Sequence, residues 1–182
     1  MTQDTIGSGL KAGTWTIDPS HSAVGFSVRH LMSKVRGSFT EFTGEIVTTE
    51  DPLASRVSVR IPTASITTNN AQRDGHLRST DFFDAESGQE LVFVGTSVRE
   101  GEDGHVIVGD LTINGVTREV ELVTEFLGVD VDAYGATRLG AEASTSISRK
   151  DFGVDFNVPL EGGKLLIGDK IDITLAIEAV LA

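Results

Sequence analysis

The chain contains no cysteine, which excludes disulfides, thiolate metal sites and cysteine nucleophiles together. It also lacks any run approaching the roughly 18 apolar residues that a membrane-spanning helix needs. Nor is there a basic cluster, since fifteen Lys and Arg are scattered through a chain of net charge −12. Duplex DNA and anionic lipid headgroups both require a basic footprint, so this balance argues against them and reads as solubility. Residues 1–18 hold neither a basic segment nor an apolar core and do not read as a signal peptide. The expectation is a soluble protein without a membrane span or a nucleic-acid partner, cytoplasmic unless a leader has been trimmed.

What the chain does have is alternation. Its 182 residues suffice for one domain with a substantial core. Residues 1–13, rich in Gly, Ser and Thr, read as a flexible leader, and 14–182 as the domain. Val24, Phe26, Val28 and His30 share one parity; so do Val57, Val59 and Ile61, and again Ile171, Ile173, Leu175 and Ile177. Each row is a strand with one dry face. About eight strands are predicted, near 14–30 with a bend at Asp18-Pro19, then 35–48, 55–67, 90–99, 105–114, 116–129, 134–149 and 170–181. Asn114-Gly115 is a two-residue hairpin signal that sets Ile113 opposite Val116 and Thr112 opposite Thr117. It also opposes Asp110 to Glu119, which a bulge before Asp110 would relieve. Such an all-β chain closes into a barrel or folds into a sandwich.

Only residues 69–83 read as helical, within the stretch RDGHLRSTDFFD, residues 73–84. A helix there sets Asp74 and His76 about 200° apart, so they share no ligand. Leu77, Phe82 and Phe83 would face inward beneath a charged outer face, as a lid. In 138–148 the inward row is Leu139, Ala141, Ala143, Thr145 and Ile147. Two small residues there leave either an apolar cavity or space that bulky neighbours fill.

Catalytic and metal chemistry find little support. There is no His-x-His, HExxH or GxSxG, and His105 is expected to be solvated in a turn. His21 and His30 fall on opposite parities. Asp18, Ser20 and Ser22 are read as organising the Pro19 bend through hydrogen bonds to the backbone. No catalytic residue, metal or cofactor is expected. His30, the polar end of an apolar row, is either a satisfied core histidine or a donor to a ligand headgroup at a barrel mouth. Arg149 falls in the inward parity and must be paired, with Asp74, Asp81 and Asp155 as candidates; an Asp74–Arg149 ion pair would pin the helical segment over the barrel.

Four stretches, WTIDPSHSAVGFSVRH (15–30), RDGHLRSTDFFD (73–84), GDLTINGVTREV (109–120) and SRKDFGV (148–154), resemble in order and spacing the signatures of the YceI-like proteins. The resemblance covers all but the leader. It implies an eight-stranded antiparallel lipocalin-like barrel with one short helical lid segment. Its central tunnel would hold a non-covalent polyisoprenoid, isoprenoid quinone or similar lipid, sequestered or transported without catalysis. Members are often dimeric, and many are periplasmic with a leader peptide, from which this chain departs. The expected ligand-binding wall is Phe26, Val28, His30, Phe39, Phe93, Leu111, Ile113, Leu122, Phe126, Ala141 and Ala143, lidded by Leu77, Phe82 and Phe83. An enzyme using the same cavity, or a broad scavenger of fatty amides and drug-like amphiphiles, are the alternatives.

Overall fold

The computed structural model describes residues 9–182. Eleven strands form one antiparallel sheet: β1 (Gly13–Ile17), β2 (Ala23–His30), β3 (Ser33–Phe39), β4 (Thr43–Thr48), β5 (Arg56–Pro62), β6 (Ile66–Thr67), β7 (Glu90–Gly101), β8 (Gly104–Ile113), β9 (Val116–Val131), β10 (Thr137–Ser148) and β11 (Ile167–Leu181). Three pairs are single staves broken at a bend: β1 with β2, β3 with β4, and β5 with β6. β4 pairs β1 while β3 pairs β2, and β5 pairs β4 while β6 pairs β3. β11 closes the ring against both halves of the first stave, setting Trp15 opposite Leu181 and Phe26 opposite Ile173. The result is an eight-staved, closed, up-and-down barrel, which leaves no long free edge.

The bends have local causes. The Asp18 side chain accepts from Ser20 N–H at 3.0 Å, and the Ser22 hydroxyl donates to the Glu178 carbonyl at 3.2 Å. The second and third bends hold each other: Thr40 donates through N–H and hydroxyl to the Ser65 carbonyl, while the Ser65 hydroxyl donates to the Glu41 carbonyl. The sequence pattern alone predicts 35–48 and 55–67 as unbroken strands, and both are broken here.

The 114–115 hairpin keeps its two-residue register. Thr112 and Thr117 share a hydroxyl hydrogen bond of 2.7 Å, and Asp110 stays opposite Glu119 with no intervening bulge. Both carboxylates are exposed, where water screens their repulsion. The register shifts lie elsewhere, at Gly95/Ser97, Gly140/Ala141 and Ile167/Ile171.

Strand direction alternates, so the turns sort to two ends. The β2–β3 turn, the β6–β7 connection, the 114–115 hairpin and the β10–β11 connection share one end, called here the mouth. The β4–β5, β7–β8 and β9–β10 turns share the other. Near the latter a floor packs around Trp15 and Ala179, both fully buried, with Leu139 and Ile17. The Trp15 indole N–H donates to Thr48 Oγ1 at 2.9 Å, so its one polar atom is satisfied. Of the leader expected over 1–13, residues 1–8 lie outside the described residues. Leu10 packs against the core and the Lys11 carbonyl accepts from Thr48 Oγ1 at 2.6 Å, which fastens the end of that segment to the barrel.

Candidate functional site

Above the floor the barrel is hollow. A cavity of about 540 Å³ runs toward the mouth, and nearly all its lining is apolar. The inward rows of β2, β10 and β11 build much of the wall, including Ala141, Ala143, Thr145 and Ile147. Ala141 and Ala143 lie between larger partners, Ile177 and Leu175 on β11 and Phe126 and Thr124 on β9, and both still face the cavity.

The large rings are laid flat. Gly37, cross-strand partner of Phe26, has no room for a Cβ because the Phe26 ring lies over it. Gly109 is covered in the same way by Phe93. Glycine lets each ring lie against the backbone instead of projecting across the lumen. Phe26 and Phe39 then meet at 5.7 Å between centroids, and Phe39 and Phe83 edge-on at 6.3 Å.

Of the wall expected from sequence, Phe26, Val28, His30, Phe39, Phe93, Leu111, Ile113, Leu122, Ala141 and Ala143 all line the cavity, as do Leu77, Phe82 and Phe83. Phe126 does not. It pairs with Ala141 toward the floor and packs against the core cluster there. Parity assigns a side chain to the inner face but not to a depth.

The lid begins with a seven-residue helix, α1 (Ala71–Leu77), shorter than the 69–83 segment expected; Asn70 caps it by accepting from Arg73 N–H at 3.0 Å. Beyond it the chain turns, and Asn114 Nδ2 at the hairpin tip donates to the Phe82 carbonyl at 2.8 Å. His76, Phe82 and Phe156 pack edge-to-face at 4.9–5.3 Å between centroids. His76 lines the cavity and its Nε2 lies 2.8 Å from Asp81 Oδ2. Asp74 and His76 are indeed apart, but Asp74 is buried and not part of a charged outer face.

The Asp74–Arg149 ion pair is not formed. Burial pushes the Asp74 carboxyl up, yet hydrogen bonds from the Thr68 hydroxyl and N–H, with the Arg78 charge, hold it below its ordinary value. Arg149 is 5% exposed and donates to the carbonyls of Gly168, Val154 and Phe156 at 2.9, 3.0 and 2.8 Å. Its nearest carboxylate among the described residues is Asp169, at 3.8 Å. Burial lowers the guanidinium pKa, against the Asp169 and Asp155 charges that raise it. Arg149 therefore pins the β10–β11 connection, not the helix. Carbonyl partners leave no trace in side-chain sequence, which is why a carboxylate was expected.

At the bend of the first stave, Asp18, His21 and Glu178 bring three ligand-type atoms within 4.8 Å of one another. Arg138 already occupies that position: its Nη1 donates to Asp18 Oδ2 at 2.8 Å and lies 3.5 Å from Glu178 Oε2, while its Nε donates to Asp132 at 2.7 Å. Hydrogen bonds from Arg138 and His21 lower the Asp18 pKa to about 2. The cluster is an ion-pair network that ties the Pro19 bend to β10 and β11. His105 is half-buried at the start of β8 and not solvated in a turn, and burial lowers its pKa.

Among the polar groups on the cavity wall, Arg73 donates to Thr68 through Nε at 2.7 Å and Nη2 at 3.0 Å, and Thr124 donates to the Leu122 carbonyl at 3.0 Å. Among the described residues no side chain hydrogen-bonds the His30 imidazole. Among the wall residues that the sequence reading did not name are Val154, Phe156 and Val158. They alternate with Asp155 and Asn157, so a signal was present, but it sits in a connection and not in a ladder.

A family model described as the YceI-like domain matches residues 15–179. The chain belongs to the YceI-like family. It is 38% identical over 162 residues to Protein YceI of Escherichia coli, covering 88% of this chain and 82% of that protein. The crystal structure of the Campylobacter jejuni YceI protein superposes with a TM-score of 0.68 at 29% identity, over 85% of this chain and 90% of that one. A polyisoprenoid-binding domain from Saccharophagus degradans superposes with a TM-score of 0.69 over 94% of this chain and all of that one; at 16% identity the likeness is one of fold. The closed antiparallel barrel of this YceI-like chain is thus the lipocalin-like architecture of its relatives. Among the described residues no helix is long and apolar enough to cross a membrane.

Proposed function

We propose that this YceI-like barrel binds a long apolar amphiphile of the polyisoprenoid or isoprenoid-quinone class and sequesters or carries it in the central tunnel. The observation that carries the reading is the cavity of about 540 Å³ with its almost wholly apolar wall. That is several times the roughly 150 Å³ void that takes up one benzene ring, and within the range of about 300–1,000 Å³ common for ligand sites. An apolar chain leaving water gains about 25 cal/mol per Å² of surface buried. The polyisoprenoid binding of the Saccharophagus degradans domain supports the ligand class.

In this reading Phe26, Val28, Phe39, Phe93, Leu111, Ile113, Leu122, Ala141 and Ala143 contact the chain, and Leu77, Phe82 and Phe83 cover it. His30, at the mouth end of β2, donates to or accepts from the headgroup. In this reading the protein binds without catalysis; Arg73 and Arg149, the two arginines of the wall, are committed to the protein's own backbone and side chains.

Mass spectrometry of lipids extracted from the purified protein is the direct test, joined to uptake of a fluorescent polyprenyl probe. Ala143→Phe should abolish uptake while the far-ultraviolet circular dichroism stays native. Protein that carries no lipid and takes up no probe, or an Ala143→Phe variant that fills normally, would overturn the reading. Turnover of a lipid-like substrate that His30→Ala loses while keeping uptake would replace the carrier with an enzyme.

A further inference from the structure

The apolar wall does not end at the mouth. Leu31 and Met32 make the β2–β3 turn, 54% and 91% exposed. Leu31 N–H donates to the Leu166 carbonyl at 2.8 Å, Leu166 N–H donates to the Val158 carbonyl at 3.0 Å, and Pro159 bridges to Leu165. Val158 and Leu165, both exposed, therefore stand beside the turn. Val158 also lines the cavity, as does Leu166, so the tunnel wall continues onto an outer shelf without a polar break. Single exposed apolar residues are ordinary, whereas a contiguous set at a portal marks an interaction surface.

Leu31 holds a φ of 56°, a left-handed conformation that Asn or Gly adopts at far lower steric cost. The free protein thus keeps a leucine both strained and wet, an arrangement that gains only when something covers it.

Charge indicates what that cover is. On the outer face of the same hairpin Arg29 lies opposite Lys34, with Arg36 at the next outward position; all three are exposed. Among the described residues none of them, nor Lys164 on the facing segment, forms a salt bridge, although Glu161 lies on that segment too. The far end of the barrel carries Glu50, Asp51, Glu100, Glu102, Asp103 and Asp130 in or beside its turns. The mouth end carries acids too, among them Asp81, Asp84, Asp151, Asp155 and Asp169, so within a chain of net charge −12 these cations form a local patch on the hairpin face. A second copy seated on the shelf about a two-fold axis would oppose these cations to themselves.

We propose that the shelf docks the barrel, mouth down, on a lipid bilayer bearing anionic headgroups. Leu31, Met32, Val158 and Leu165 enter the acyl boundary while Arg29, Lys34, Arg36 and Lys164 meet the headgroups. An apolar chain then passes between bilayer and tunnel without crossing water. Charges more than about 8 Å from the headgroups are screened at physiological salt, so the hairpin patch, and not the net charge, sets which face meets them.

The test is flotation of the full chain with vesicles of equal parts phosphatidylglycerol and phosphatidylcholine, and with vesicles of phosphatidylcholine alone. The protein should float with the mixed vesicles and much less with the neutral ones. Met32→Asp removes an apolar anchor that packs on nothing in the fold, and should weaken binding about tenfold or more. Leu31→Asn should also weaken it while leaving the fold as stable or more so, because the left-handed site suits Asn. Ala143→Phe should still float, which separates docking from tunnel occupancy. The proposal falls if the protein does not float with mixed vesicles, floats equally with neutral ones, or floats unchanged after Met32→Asp. It also falls if a solution dimer that Met32→Asp dissociates proves to cover the shelf in place of a bilayer.

Discussion

Replacing Arg149 with methionine isolates what a buried guanidinium does when its partners are carbonyls. The side chain is 5% exposed and donates to Gly168, Val154 and Phe156 at 2.8–3.0 Å, joining the start of β11 to two points of the β10–β11 connection. Methionine fills a similar volume but donates nothing, so three acceptors lose a charged donor. A hydrogen bond to a charged group contributes about 1.5–3 kcal/mol, and water entering from the cavity can rescue part of that loss. The expected cost is about 3–5 kcal/mol, read as a lower urea midpoint at unchanged slope, or roughly 6–20 °C in Tm. Asp169→Asn supplies the control. Its carboxylate is 45% exposed and 3.8 Å away, so an ion-pair role would give the two substitutions similar costs. The carbonyl role predicts less than about 1 kcal/mol for Asp169→Asn. Near-equal losses, or a loss below about 1 kcal/mol for Arg149→Met, would refute the reasoning.

Three further outcomes can be measured. Trp15→Phe keeps most of the floor but removes the indole and its hydrogen bond to Thr48 Oγ1, which still donates to the Lys11 carbonyl, and should cost about 1–3 kcal/mol in urea unfolding. Asp18 has its pKa depressed from the ordinary 3.8 to about 2, so its share of stability is present above about 4 and is lost as pH falls toward about 2; Asp18→Asn should flatten that part of the stability–pH curve. On the proposed function, removing the lipid should lower Tm by roughly 5–10 °C, the shift expected from about 2.7 kcal/mol of ligand binding at a hundredfold excess over Kd, and readdition should restore it.

Strand positions were legible because each stave has one dry face, and period-two alternation reports that directly. The bends were harder to read, although their signal was present as a slip in parity. Phe39 and Phe42 both face the interior but are three residues apart, Ile61 and Ile66 five, Ile17 and Val24 seven. An odd spacing between inward residues requires a break, and each of these spans one. The Pro19 bend announced itself by residue type, while Thr40 and Ser65 act through backbone acceptors that sequence does not name. Asp74 misled in a related way. The sequence suggests Arg149 as its partner, whereas Thr68, six residues earlier, supplies both an N–H and a hydroxyl to it.

One face of β11 shows why the barrel is hollow above and solid below. Ile171, Ile173, Leu175 and Ile177 point inward yet are only half-buried, because their inner surfaces meet the cavity. Two residues on, Ala179 shares their parity and is fully buried beside Trp15. Accessibility therefore falls to zero where a single indole enters the lumen, although Ala179 is smaller than any residue above it. Neither strand length nor the size of the β11 side chains sets that boundary. It is set by which stave contributes an aromatic ring that projects inward, as Trp15 does, and which rings lie flat over a glycine, as Phe26 and Phe93 do over Gly37 and Gly109. Enlarging the inward residues one by one should accordingly shorten the tunnel from the floor upward, with Ala141, level with Phe126, the first position to close and Ala143 the next.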